Sequence, residues 1–110
     1  MDLDDLQQEI AVWQDRNFAT TGATELLLGV AEEVGELSHA HLKGVQGIRH
    51  SRNQIREMKK DAVGDILIYL MNYCSKEDLL FSDCLHSTWA TIVKKRDWIS
   101  DPEHGNADGA

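Results

Sequence analysis

Apolar residues return every three or four positions along most of this chain, which is the period of a helix and not of a strand. Leu3, Leu6, Ile10 and Trp13, with Val12 alongside, predict a first helix over residues 4–17. Residues 19–23, which include Thr20, Thr21 and Gly22, break that pattern. Leu27, Val30, Val34, Leu37 and His41 resume it, so a second helix with a packing seam is expected from Thr24 to near Gly44. The stretch 44–52, with two glycines among polar and basic residues, reads as an exposed loop. Ser51-Arg52-Asn53-Gln54 then has the capping-box form that starts a third helix.

From Ala62 to Cys74 the third helix is apolar nearly all round, which marks a central helix contacted on several sides. Residues 75–81 read as a turn or a short capped helix. Ser82 or Asp83 is the expected cap of a fourth helix, with Leu85, Trp89 and Ile92 on one face. Past Trp98 no apolar repeat survives, so one domain is expected over residues 1–98 and a loose tail over 99–110.

Composition narrows the class. A chain of 110 residues with 42% apolar residues and a single proline is one all-α domain by expectation, large enough for a core yet helped by burial against a partner. No run approaches the roughly 18 apolar residues of a membrane span. The acidic start Met1-Asp2-Leu3-Asp4-Asp5 is unlike a secretory leader, so a cytoplasmic protein is expected. A net charge of −8 argues against nucleic acid or anionic lipid as main partner. Six of the eleven basic residues nevertheless fall between Lys43 and Lys60, and Lys94, Lys95 and Arg96 sit together near the end. That triplet suits either the negative pole of the fourth helix or a phosphate. Cys74 and Cys84 lack metal-site spacing and read as two ordinary buried thiols.

The carboxylates change the picture most. Glu32-Glu33-Val34-Gly35-Glu36-Leu37 puts three acids on little more than one turn, and Asp61 and Asp65 interrupt the apolar third helix. Carboxylates facing a core are costly unless paired, protonated or bound to a cation. Glu33 and Glu36 are three apart and Asp61 and Asp65 four apart, so each pair shares a helix face, and two such faces packed together form an oxygen cage suited to magnesium or manganese. A di-iron bundle fits less well. It needs Glu-x-x-His on two helices, and only Glu36-Leu-Ser-His39 supplies one.

Glu33-x-x-Glu36, a spacer of two dozen residues and then an acidic pair leading into Gly64-Asp65-Ile66-Leu67-Ile68-Tyr69-Leu70 resembles the MazG-like nucleotide pyrophosphohydrolases of the all-α NTP pyrophosphatase superfamily, over about residues 5–98. The family pattern is Glu-x-x-Glu followed by Glu-x-x-Asp. Here the position three before Asp65 is Ala62, and the acid is Asp61, four before. The resemblance implies a four-helix bundle that dimerises and hydrolyses a nucleoside triphosphate, with non-standard nucleotides among the candidates, to the monophosphate and pyrophosphate. It implies Mg2+, or Mn2+, on Glu33, Glu36 and Asp65, with Asp61 as a substitute fourth ligand.

Further roles follow as candidates. Glu32 is a candidate base, a group supporting the ligands, or a plain surface acid; Lys43, Lys94 and Arg96 are candidate phosphate contacts, with a dimer interface as one route to the site; Trp13 and Phe18 are candidate base-stacking residues. For Trp13 and Trp89 the core reading is the favoured one, because aromatic residues at helical spacing usually pack. A homodimer or dimer of dimers is expected also because a lone domain would leave part of the third helix wet. The competing expectation is a non-catalytic dimeric helical module that binds nucleotide or another protein, with Ala62 marking lost chemistry.

Overall fold

The computed structural model describes residues 1–47 and 49–96. Among them the chain is all-helical. The elements are α1 (Leu3–Asn17), α2 (Ala23–Gln46), α3 (Arg52–Lys76) and α4 (Phe81–Thr88), and α4 runs directly into a π-helical turn, Trp89–Val93. The expected tail over 99–110 lies outside the described residues.

Local chemistry sets most of the helix ends. Asp2 caps α1 by accepting the Asp5 N–H at 2.8 Å, and Ser51 caps α3 in a full capping box: its Oγ accepts the Gln54 N–H at 3.1 Å while Gln54 Oε1 accepts the Ser51 N–H at 2.8 Å. Helix α2 does not stop near Gly44 as its sequence suggests. It continues to Gln46 and ends where Gly47 takes a left-handed conformation, φ 65°, and donates to the Lys43 carbonyl. Gly44 instead makes room for Ile55, whose methyl would lie 3.0 Å from any Cβ placed there.

Helix α3 ends at Lys76 with Glu77 as its C-cap, and the left-handed backbone of the next residue, Asp78 (φ 55°), lets the Leu79 N–H reach the Cys74 carbonyl at 2.8 Å. Neither Ser82 nor Asp83 caps α4. Its N-cap is Leu80, which has no capping side chain, and the free Phe81 N–H is taken by Gln7 Oε1 of α1 at 2.8 Å. The Ser82 hydroxyl donates instead to the Asp4 carboxylate.

Helices α2 and α3 form a long antiparallel hairpin. Gly29 of α2 lies under the Tyr69 ring of α3, so close that a Cβ at residue 29 would sit 2.4 Å from the ring. This approach and the Gly44–Ile55 contact fix the register of the pair. Helix α1 packs across the far half of α3 and against α4, and makes no contact with α2. The core comprises Leu26, Ala40, Ile55, Ala62, Met71 and Cys74. With so few residues inside, the chain is extended: its radius of gyration is 17.7 Å, against about 13 Å for a compact domain of this length. Trp13 and Trp89 are not core residues. They are 51% and 54% exposed.

Candidate functional site

The α2–α3 register decides which acids meet. Glu33 stands one turn after Gly29, and Asp65 one turn before Tyr69, so the two carboxylates come level on a seam that leaves both residues half-buried. Glu36 lies a further turn along α2 and is exposed, as is Glu32. The electrostatics agree with this arrangement. The Glu33 carboxyl is held above the ordinary glutamate range, first by burial, then by the charges of Asp65, Glu36, Glu32 and Asp61 in that order. Four negative neighbours act on one carboxyl, and the strongest is on the opposite helix.

The position level with Glu36 on α3 is Ala62, which is buried in the seam. Asp61 is one residue, about 100°, away from it and exposed, and it borders a shallow surface depression of about 600 Å³ with Glu57, Met58 and Lys60. Glu33, Glu36 and Asp65 do not line that depression. Asp61 is therefore the outlier of the acidic set, the weakest of the charges felt by Glu33. Among the described residues no three His, Cys, Asp or Glu side chains gather closely enough to hold a metal ion. The carboxylates share the seam without converging on one point. Their donor atoms are all oxygens, the donor type that a hard divalent cation takes.

Lys43 is half-buried on α2, two turns or about 10 Å along from Glu36 and on the same face. Trp13 and Phe18 form an exposed edge-to-face pair at the end of α1, ring centroids 5.7 Å apart and planes at 60°. Lys94 and Arg96 are exposed and follow the π-helical turn, which packs against neither α2 nor α3. The fold of one chain thus unites Glu33 with Asp65, places Glu36 beside them, and leaves the aromatic pair and the two terminal cations on other elements.

Two residues that matter for this geometry escape sequence reasoning. Gly29 and Tyr69 set the helix spacing next to the acids; the available signal was an isolated glycine inside the apolar run Leu26-Leu27-Leu28-Gly29-Val30, a pattern that points to close backbone approach. Comparison of the chain with family models, with curated proteins and with solved structures gives no match.

Proposed function

We propose that the chain is a metal-dependent nucleotide pyrophosphohydrolase, converting a nucleoside triphosphate and water to the monophosphate and pyrophosphate. The observation that carries the reading is the meeting of Glu33 and Asp65, from two helices, on one half-buried seam with Glu36 a turn away. Folding alone gives no reason to keep like charges there.

In this reading Glu33, Glu36 and Asp65 hold Mg2+ or Mn2+, with Asp61 at most an outer contributor. Bound there, the cation would offset the repulsion between an acidic protein and a triphosphate and would make water more acidic. Water attacks the α-phosphorus, the bond to the bridging oxygen of the β-phosphate breaks, and pyrophosphate leaves. Glu32, exposed beside the ligands, takes the proton of that water. Lys43 contacts the departing phosphates, and Trp13 with Phe18 stacks on the base.

In this reading Lys94 and Arg96 come to the site from a second copy, which makes a homodimer or a dimer of dimers part of the proposal. Support comes from the uncovered apolar residues Val63, Leu67 and Ile68 on α3 and Leu27, Leu28 and Val34 on α2, together with the extended shape. Sedimentation at micromolar concentration should give a dimer or tetramer; a single monomeric species rejects that part.

A second reading has its own observation. The burial of Ala62 where a fourth carboxylate would face Glu36 suits a non-catalytic helical module that binds nucleotide or a protein partner. A panel of standard and modified nucleoside triphosphates with magnesium, with products identified, separates the two. Monophosphate and pyrophosphate in a single step support hydrolysis at the α-phosphorus. Diphosphate with orthophosphate, or no turnover on any substrate, contradicts it.

A further inference from the structure

Buried amides of two kinds lie between α1 and α3. Gln7 has both ends of its carboxamide engaged: Nε2 donates to Ser75 Oγ at 3.1 Å and to the Leu79 carbonyl at 3.0 Å, and Oε1 accepts the Phe81 N–H at 2.8 Å. Gln14 and Asn72 are engaged at one end only. They are 7% and 3% exposed, and a single bond joins them, Asn72 Nδ2 donating to Gln14 Oε1 at 3.2 Å. Among the described residues the other ends, Gln14 Nε2 and Asn72 Oδ1, make no further hydrogen bond. Neither is sealed in, because the one fully buried side-chain N or O without a partner among those residues is His50 Nδ1. Both ends therefore reach the surface, and a recess of about 350 Å³ that Gln14 and Asn72 line together is where they open.

We propose that this α1–α3 recess is a binding site for a neutral, planar cyclic amide, whose C=O accepts from Gln14 Nε2 and whose N–H donates to Asn72 Oδ1. The chemistry of the floor selects the guest. Two linked amides with one end each left over offer one donor and one acceptor, and turning both amides over exchanges the roles without changing that sum. A ring with C=O beside N–H shows both groups on one edge, whereas an open-chain trans amide points them to opposite sides. Size and charge agree. The recess is at the low end of the roughly 300–1,000 Å³ of ligand pockets, and Ala11 and Leu79 add apolar lining for a flat ring. On its rim the Lys76 ammonium meets the Asp15 carboxylate at 3.4 Å and Asp78 adds a further acid, which favours a neutral guest over an anion. The site is apart from the carboxylate seam, since Asn72 lies two turns, about 10 Å, along α3 from Asp65. It does not depend on the nucleotide reading. A free cyclic amide and the base of a nucleotide present the same kind of edge, and the test separates them.

The test titrates the full chain, isotopically labelled and free of metal, with 2-pyridone and with N-methyl-2-pyridone, and follows the side-chain amide signals of Gln14 and Asn72 by NMR. 2-Pyridone should shift both signals and saturate. N-methyl-2-pyridone keeps the ring and the C=O but has lost the N–H, and should bind about tenfold more weakly. No shift of these signals with 2-pyridone, or equal affinity for the two rings, overturns the proposal. This comparison needs no substitution in the core. Gln8→Trp adds a check on place: it sets a large side chain over the recess from an exposed position, and should abolish the shifts while leaving the urea midpoint unchanged. Shifts that persist in a folded Gln8→Trp contradict the assigned location. Inosine and inosine triphosphate, which carry the same edge, identify the source. Tighter binding of the triphosphate than of inosine assigns the recess to the base of a nucleotide, weaker or equal binding assigns it to a free ring or nucleoside, and either result keeps the site.

Discussion

Polar side chains enter the interior of this molecule in two places, under opposite terms. At the junction of α1, α3 and α4, Gln7, Gln14 and Asn72 are buried, neutral and bonded. Gln7 spans Ser75, Leu79 and Phe81, and Asn72 Nδ2 donates to Gln14 Oε1 at 3.2 Å. On the α2–α3 seam, Glu33 and Asp65 are half-buried carboxyls, and the groups that act on Glu33 are further carboxyls. The first arrangement is what folding requires of a buried polar group. The second works against folding, and that contrast makes the seam the candidate site and the junction its scaffold.

If the contrast is right, breaking the junction should do the most damage. Gln7→Leu leaves the Phe81 N–H and the Leu79 carbonyl of a part-buried turn without their partner, and should cost about 3 kcal/mol in urea unfolding. A loss under 1 kcal/mol would show that water replaces the side chain and that the junction is not the rigid half.

The spacing of the seam comes next. Gly29→Ala drives a methyl into the Tyr69 ring and should cost about 2 kcal/mol, most of it recovered when Tyr69→Leu is added. Equal and additive losses in a double-mutant cycle would mean that the glycine does not set the α2–α3 distance.

The smallest effect has the opposite sign. The Glu33 carboxyl is raised in the folded chain, so without metal its contribution favours folding below the ordinary glutamate range, near pH 4, and is lost as pH rises through the folded value. Glu33→Gln removes that loss. Metal-free Glu33→Gln should match the wild type near pH 4 and equal or exceed it at pH 7, as read from denaturant midpoints. A variant that becomes less stable on going from pH 4 to pH 7, relative to wild type, would show that Glu33 has a favourable partner.

The two regions also differ in how far the sequence reveals them. Helical spacing, the Asp2 cap and the Ser51-to-Gln54 capping box are local, and the all-α architecture and the start of α3 follow from them. The start of α4 could not be read this way, because the group that caps it is Gln7, which is distant in sequence and brought there only by packing. Trp13 and Trp89 have the spacing of core residues but stay half exposed, because among the described elements α1 meets α3 and α4 alone, and the π-helical turn meets α4 alone.

At the seam, Glu33 and Asp65 stand out in the sequence as acids set into helical apolar patterns, but the expected pairing of Asp61 with Asp65 on one face does not hold: Asp65 is half-buried and Asp61 exposed. Which α3 position faces Glu36 was not legible. Residues three and four before Asp65 lie on either side of the same face, and only the register fixed by Gly29 and Gly44 puts Ala62 inside and Asp61 outside.

The most direct test of the seam as a cation site is a thermal melt of wild type and Asp65→Asn, each with and without magnesium. A ligand that binds only the folded state stabilises it by about 2–3 kcal/mol at about a hundred times its dissociation constant. The wild type should gain that much with magnesium. Asp65→Asn, which keeps the side-chain shape and removes one repelling charge, should be at least as stable without metal and should lose most of the magnesium gain. A magnesium shift in Asp65→Asn as large as in the wild type would contradict the account.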